Sequence, residues 1–143
     1  MSTFKPNACT FDVGVERIKT AAEKAGLQWK QRITTSRDPT AKAAQETLRV
    51  TNVPDGFTKF QFPVYFDKPS QFFLSNGAPN TDVPRHSHDE GDGLRYIVSG
   101  SILYDGKELS AGDWMFVPAG QAYSFKVGPQ GAKMFYCYEC CCA

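Results

Sequence analysis

The residues of this chain whose types and spacing could do chemistry lie in one short polar stretch. It holds both histidines of the chain, followed at once by three carboxylates: His86, His88, Asp89, Glu90 and Asp92. Two histidines separated by one residue in an extended strand point to the same side, so their imidazoles can converge on one metal ion or one substrate. The pattern therefore predicts a functional site rather than a pair of solvated histidines.

The composition of the chain fits one domain that handles a small molecule. With 143 residues and 41% hydrophobic content, the chain is long enough for a core. The 16 basic and 15 acidic residues nearly cancel, and no run of Lys and Arg indicates nucleic acid or an anionic membrane as partner. The N-terminus lacks the pattern of a signal peptide, and no apolar run could span a bilayer. We therefore expect a cytoplasmic protein with a small-molecule substrate, no nucleic-acid partner and no membrane.

The five cysteines are unevenly placed, because Cys9 is isolated and the other four lie in the last seven residues: Cys137, Cys140, Cys141 and Cys142. An odd number without a secretory signal favours reduced thiols. Cys137 and Cys140 could be half of a zinc or redox site, but no second pair has the spacing of metal ligands. A final strand that ends in small polarizable side chains is the favoured interpretation.

The elements that position the histidines are predicted to be strands, preceded by one helix. Apolar residues at helical spacing, with Gly26 as a C-terminal stop, predict an amphipathic helix near residues 14–25. Residues 34–47 are polar and contain the turn signal Ser-Arg-Asp-Pro-Thr, so a loop is expected there. The predicted organisation is an N-terminal extension over residues 1–47 and a β-domain over residues 48–143.

From Leu48 onward, short apolar runs alternate with turn residues. The alternation from Phe60 to Phe66 predicts a half-buried strand, at an edge or bulged because of Pro63. Asp105-Gly106 predicts a tight hairpin. Further strands are predicted at residues 48–53, 72–75, 94–99, 101–104, 114–117, 122–127 and 133–138. Many short strands with such turns indicate an antiparallel sandwich or barrel, with the helix outside it.

Two motifs, in this order, resemble the cupin family of small jelly-roll barrels. His86, His88 and Gly100 resemble the first cupin motif, and the glycines, proline and spacing of residues 112–123 resemble the second. The resemblance covers about residues 75–138, and the short hairpin between the motifs is similar to that of ChrR-like cupin domains. It implies an all-β, cupin-like double-stranded β-helix with a short N-terminal helix outside the barrel. It implies much less about chemistry, because one fold hosts many functions.

The resemblance also implies a metal site, although the usual ligands are only partly present. Counting forward from His88 places the carboxylate of the first motif at Asp92, with Glu90 as the second choice. The histidine of the second motif is replaced by Tyr123, whose hydroxyl can act as an acid or a hydrogen-bond donor. His86 and His88 with one carboxylate would form a face that suits Fe best, with Mn, Ni and Zn as alternatives.

Three functions stay open at this point. The first is a metal-dependent cupin enzyme, of oxygenase, lyase or isomerase type, that acts on a small organic acid or ketone. The second is a metal-independent isomerase or epimerase with His88 as general base and Tyr123 as general acid. The third is a non-catalytic module that binds or senses a small ligand. A homodimer is expected, because aromatic-rich strands and an edge interrupted by proline need protection from indiscriminate pairing.

Overall fold

The structure of the chain is a computed structural model that describes residues 9–139. The chain divides into two compact units that alternate along the sequence. Among the described residues, the first unit comprises 9–29 together with 38–65, and the second comprises 30–37 together with 66–139. The division into 1–47 and 48–143 stays a prediction. Neither helix of the described part has the length and apolar character that crossing a membrane requires.

Helix α1 (Phe11–Ala25) belongs to the first unit. It begins after Thr10, whose side-chain oxygen accepts a hydrogen bond from the backbone N–H of Val13, and it ends at Gly26 in the left-handed conformation. The helix predicted near residues 14–25 is therefore confirmed, with three further residues at its start. Its apolar face contributes to a buried cluster formed by Ile18, Ala21, Ala22, Leu27, Ala44 and Leu48.

Helix α2 (Pro39–Thr47) lies where the sequence predicted a loop. Asp38 is the residue before the helix, and Pro39 occupies its first turn, where the missing N–H removes no helical hydrogen bond. Alanines follow, which favour helix, and Ala41 and Ala44 are buried. The loop prediction is wrong for residues 39–47, because the proline marks the start of a helix here.

Strands β1 (Thr34–Thr35), β2 (Arg49–Val50) and β3 (Lys59–Phe60) are short. In the described chain β2 and β3 pair with each other as a separate two-stranded sheet. The prediction that the strands at 48–53 and 60–66 pair within the sheet of the barrel is therefore wrong. The strand predicted from Phe60 to Phe66 stops at Phe60, and Pro63 has no N–H with which to extend a ladder.

The second unit is a seven-stranded antiparallel sheet. Its strands besides β1 are β4 (Gln71–Gly77), β5 (Asp82–His86), β6 (Gly93–Tyr104), β7 (Lys107–Ser110), β8 (Trp114–Val117) and β9 (Tyr123–Tyr138). The path runs β1-β8-β6-β9-β4, with β5 paired to β9 and β7 paired to β6. The long strands β6 and β9 each unite two predicted strands, because bulges shift their register without breaking the pairing.

The predicted hairpin at Asp105-Gly106 is confirmed and joins β6 to β7, with φ of 49° and 72° at its two residues. One face of the sheet, called the inner face here, carries a buried core made of Ile97, Ile102, Leu109, Met115, Val117, Tyr123, Phe125, Val127, Ala132 and Met134. The fold is thus mostly antiparallel β with a short N-terminal helix, as the sequence predicted.

Candidate functional site

Strands β5 and β9 bring both histidines to Tyr123. The two strands are antiparallel, and His86 at the end of β5 lies opposite Tyr123 at the start of β9. The ring centroids of His86 and Tyr123 are 4.7 Å apart, and those of His86 and His88 are 5.0 Å apart with the rings nearly perpendicular. The backbone of His88 is held in turn, because its carbonyl oxygen accepts a hydrogen bond from Gly120 N–H at 2.9 Å. Three side chains that the sequence singled out therefore meet.

His88 is hydrogen-bonded to Tyr123. The hydroxyl oxygen of Tyr123 lies 3.3 Å from Nε2 of His88, and the tyrosine is 2% exposed. Burial lowers the pKa of His88 below its ordinary value, and the electrostatic interactions with His86 and Arg95 lower it further, whereas the interaction with Asp89 raises it. At neutral pH His88 is therefore uncharged, and its Nε2 can accept the hydrogen of the hydroxyl.

The ring of His86 is oriented by a backbone carbonyl. Its Nδ1 lies 2.8 Å from the carbonyl oxygen of Pro84. Because a carbonyl oxygen only accepts, Nδ1 carries the proton and donates it, which makes Nε2 the acceptor nitrogen of the neutral ring. A backbone carbonyl on one ring nitrogen is the arrangement that often orients a histidine toward a metal ion or a substrate.

The carboxylate of Asp92 is occupied by other partners. The side chain is buried, its Oδ1 accepts a hydrogen bond from Ala119 N–H at 2.9 Å, and its Oδ2 forms an ion pair with Lys30 Nζ at 3.1 Å. Lys30 also pairs with Asp67, and these partners raise its pKa to about 12 although burial acts in the opposite direction. Asp92 therefore connects residue 30 to the loop that precedes Tyr123.

The described side chains fit a metal ion only in part. His86 and His88 supply two adjacent imidazoles, whereas Glu90 is exposed at the rim of a cavity. Within residues 9–139, no three His, Cys, Asp and Glu side chains are grouped as metal ligands would be. The metal site stays a prediction on four residues: His86, His88, Asp92 and Glu90.

A cavity of about 600 Å³ opens beside His88. Its aromatic wall contains Phe73, Tyr136 and Tyr138, and its polar rim contains Ser87, Asp89 and Glu90. The rings of Tyr136 and Tyr138 are stacked with centroids 5.9 Å apart, and the centroid of His88 is 5.0 Å from that of Tyr138. A cavity of this size with apolar walls and few polar groups suits a small organic molecule.

The sequence analysis did not single out Arg95 as a site residue. Arg95 is 8% exposed, and its guanidinium carbon lies 4.5 Å from the ring centroid of Tyr136 and 5.2 Å from that of Phe125. Tyr136 lines the cavity, so Arg95 contacts a ring that forms part of the cavity wall. The signal that could have found it is a charged residue at an inward position of a strand, alternating with Gly93 and Ile97.

The cysteines contribute little to this site. Cys137 is buried on β9, and burial raises the pKa of its thiol, so it stays protonated at neutral pH. Cys9 is exposed. The remaining three cysteines of the predicted tail, Cys140, Cys141 and Cys142, lie outside the described residues.

No protein-family model matches this sequence, and the curated proteins searched contain no match. Solved structures do match. A protein of unknown function with a cupin-like fold from Ralstonia eutropha is 20% identical, with a TM-score of 0.45, over 52% of this chain and 49% of that chain. An uncharacterized protein with a double-stranded β-helix domain from Klebsiella pneumoniae is 22% identical, with a TM-score of 0.45, over 53% of this chain and 67% of that chain.

A third similar structure is the complex of SigE with the anti-sigma factor ChrR from Rhodobacter sphaeroides. It is 15% identical, with a TM-score of 0.44, over 50% of this chain and 40% of that chain. The chain thus spans about half of the Ralstonia protein and less than half of the matched chain in this complex. These similarities concern the fold alone and say nothing of activity. In fold, the chain is similar to cupins.

Proposed function

We propose that the second unit binds a small carbonyl compound in the cavity beside His88 and moves a proton on it. His88 is the general base and Tyr123 is the general acid. The observation that carries this proposal is the 3.3 Å hydrogen bond between the Tyr123 hydroxyl and Nε2 of an uncharged, half-buried histidine. A base and an acid in direct contact beside an aromatic cavity are the parts that proton transfer next to a carbonyl requires.

The proposed reaction uses groups of this chain only. The substrate carbonyl oxygen replaces His88 as the acceptor of the Tyr123 hydroxyl, which frees Nε2. Nε2 then takes a proton from the carbon next to the carbonyl. The electron pair of the broken C–H bond forms a C=C bond, and the π pair of the carbonyl moves to its oxygen, which gives an enolate. The Tyr123 hydroxyl donates a hydrogen bond to that oxygen, and return of the proton to either face of the same carbon regenerates the substrate or gives its epimer.

Deuterium exchange tests this proposal. In D₂O, the protein should speed the exchange of the protons next to the carbonyl of small 2-oxo acids such as 2-oxobutanoate, followed by proton NMR. Tyr123→Phe and His88→Gln should each lower the rate by roughly 10²-fold or more. Tyr104→Phe, at the far end of β6, is the matched control and should exchange at the rate of the unmodified protein. Equal rates in all four proteins would contradict the proposal.

A metal-dependent enzyme is the second candidate, and the hydrogen bond from Nδ1 of His86 to the Pro84 carbonyl favours it. His86 and His88 would hold the ion, Fe before Mn, Ni or Zn, and a bound ion would supply Lewis acidity to a substrate oxygen. Elemental analysis of the protein purified without added metal should then give one equivalent, lost in both His86→Ala and His88→Ala. Asp92→Ala should lower the metal content more than Glu90→Ala if Asp92 is the third ligand.

If neither deuterium exchange nor bound metal is found, the remaining candidate function is binding of a small ligand without turnover. A homodimer and a cytoplasmic location remain proposals as well. The dimer is supported by β4, which ends the path of the sheet and exposes the side chains of Phe72 and Leu74. An open edge with apolar side chains needs a partner or protection.

A further inference from the structure

Arg95 lies on the inner face of the sheet. It is opposite Met115 on β8 and opposite Tyr136 on β9. Side chains at paired positions of neighbouring strands share a face, so Arg95 points the same way as Tyr136, whose ring borders the cavity. With 8% of its surface exposed, the arginine is more than nine-tenths buried.

Among the described residues, the groups that contact this guanidinium are uncharged. Its carbon lies over the rings of Tyr136 and Phe125, and its Nη1 contacts Sδ of Met134 at 3.6 Å. Its Nε is buried and has no hydrogen-bond partner among the described residues. Within residues 9–139 no carboxylate oxygen lies within ion-pair distance of it either. A buried charge is costly unless it is paired, and ring faces with a thioether replace only part of the lost hydration.

Tyr136 connects Arg95 to the candidate site. One side of its ring meets the guanidinium, and the residue also lines the cavity that His88 lines. The ring centroids of Tyr136 and His88 are 6.1 Å apart. Gly93 leaves room for this ring, because a Cβ at residue 93 would lie 2.7 Å from the Tyr136 hydroxyl oxygen. A group that reaches the guanidinium past this ring is therefore also next to His88.

We infer that Arg95 anchors a carboxylate of the ligand, so the ligand class is small organic carboxylates with an apolar part that packs on Tyr136 and Tyr138. This inference rests on the proposed function, because it takes from it that the ligand lies in the cavity beside His88. It narrows the substrate class from small carbonyl compounds to those that also carry a carboxylate. A guanidinium fits a carboxylate because two parallel N–H groups can donate to its two oxygens. The Nε–H that has no partner supplies one of them, and the Tyr136 ring turns aside to admit the anion.

The test compares benzoate with benzamide, which has the same shape and no charge. Isothermal titration should show benzoate binding to the unmodified protein at least tenfold more tightly than benzamide. Arg95→Met, which keeps the length of the side chain, should lose at least tenfold in affinity for benzoate. Arg85→Met makes the same change at an exposed arginine of β5 and should bind benzoate as the unmodified protein does.

A measurement on the unmodified protein covers the case in which Arg95→Met does not fold. The Nε–H resonance of Arg95 in a ¹⁵N-resolved NMR spectrum should shift when benzoate is added and should stay in place with benzamide. Equal affinities for benzoate and benzamide, no binding of benzoate, or full affinity in a folded Arg95→Met protein would each overturn the inference. Displacement of benzoate by equimolar inorganic phosphate would overturn the carboxylate class.

The same experiments separate the anchor from the proton transfer. If benzoate binding depends on Arg95 and no 2-oxo acid exchanges deuterium, the anchor stands and the proton transfer fails. If 2-butanone exchanges as fast as 2-oxobutanoate and benzoate does not bind, the proton transfer stands and the anchor fails.

Discussion

At the scale of single residues, the sequence identified the side chains whose chemical role can be recognised from their residue type and motif position alone. His86, His88 and Tyr123 stand out because of their types and because two motifs place them, and the structure puts them in contact. The partners of Asp92 were not predictable, because Lys30 lies far away in the sequence. The setting of Arg95 depends on the rings of Tyr136 and Phe125 from another strand, and no local pattern specifies that register.

Gly93 gives a prediction at this scale. Gly93→Ala should destabilise the protein by about 1–3 kcal/mol, because the new Cβ would lie 2.7 Å from the Tyr136 hydroxyl oxygen and overpack the inner face. The free energy of unfolding from urea titration measures this. The double variant Gly93→Ala with Tyr136→Phe should recover part of the loss, since it removes the nearest atom.

Gly14→Ala provides the comparison in helix α1, where the new Cβ finds its nearest atom at 3.4 Å. It should be neutral or stabilising by up to about 1 kcal/mol, because alanine favours helix. A Gly93→Ala protein as stable as the unmodified one would show that Tyr136 is free to move and that the space at residue 93 does not position it.

At the scale of elements, the sequence predicted best where one pattern acts alone. The period of α1, the turn at Asp105-Gly106 and the apolar run of β8 all appear as predicted. Helix α2 was missed because its start signal, Asp38-Pro39, is also a turn signal, and only the burial of its alanines decides between them. The strands near residues 49 and 60 were assigned to the wrong sheet. The alternation of apolar and polar residues predicts a strand but does not determine which strand it pairs with.

The attachment of β1 to β8 depends on Asp113 and leads to a prediction about pH. Burial alone would raise the pKa of Asp113, but hydrogen bonds from Ser110 N–H, the Ser36 hydroxyl and Arg37 lower it below its ordinary value. A carboxyl whose pKa is lower in the folded state stabilises the fold at pH values above its unfolded pKa of about 4. This contribution is lost as the pH falls through the folded pKa.

Asp113→Asn should therefore cost about 1–2 kcal/mol of unfolding free energy at pH 7, and the difference from the unmodified protein should shrink below about pH 4. Urea unfolding at a series of pH values measures it. Asp105→Asn, at the exposed hairpin, is the control and should show no such dependence. A difference that is constant down to pH 2 would mean that the charge of Asp113 contributes nothing.

At the scale of the whole molecule, the proposed homodimer depends on strand β4 at the end of the sheet. Strand β4 is seven residues long and ends the path of the sheet. Phe72 is 68% exposed and Leu74 is 72% exposed. Light scattering at micromolar concentration should give twice the chain mass of 15.9 kDa. Leu74→Lys should shift the mass toward one chain, because a buried lysine at the interface is costly.

Leu103→Lys is the matched control, because Leu103 is also an exposed leucine on a strand but lies beside the β6–β7 hairpin. It should leave the mass unchanged. A mass near 15.9 kDa for the unmodified protein contradicts the dimer, and a dimer that survives Leu74→Lys places the interface elsewhere.

The interleaving of the two units has a consequence for how the chain folds. Strand β1 lies between the two helices in the sequence, yet it completes the sheet beside β8, and Ser36 and Trp114 are hydrogen-bonded across 78 residues of sequence. Closing so long a loop lowers the entropy of the chain before the strands gain any favourable contact. Such pairings therefore form late and slow the overall rate of folding. We therefore expect the refolding chain to expose an unpaired β8 edge until β1 docks on it, and the kinetics of refolding to be governed by that last pairing.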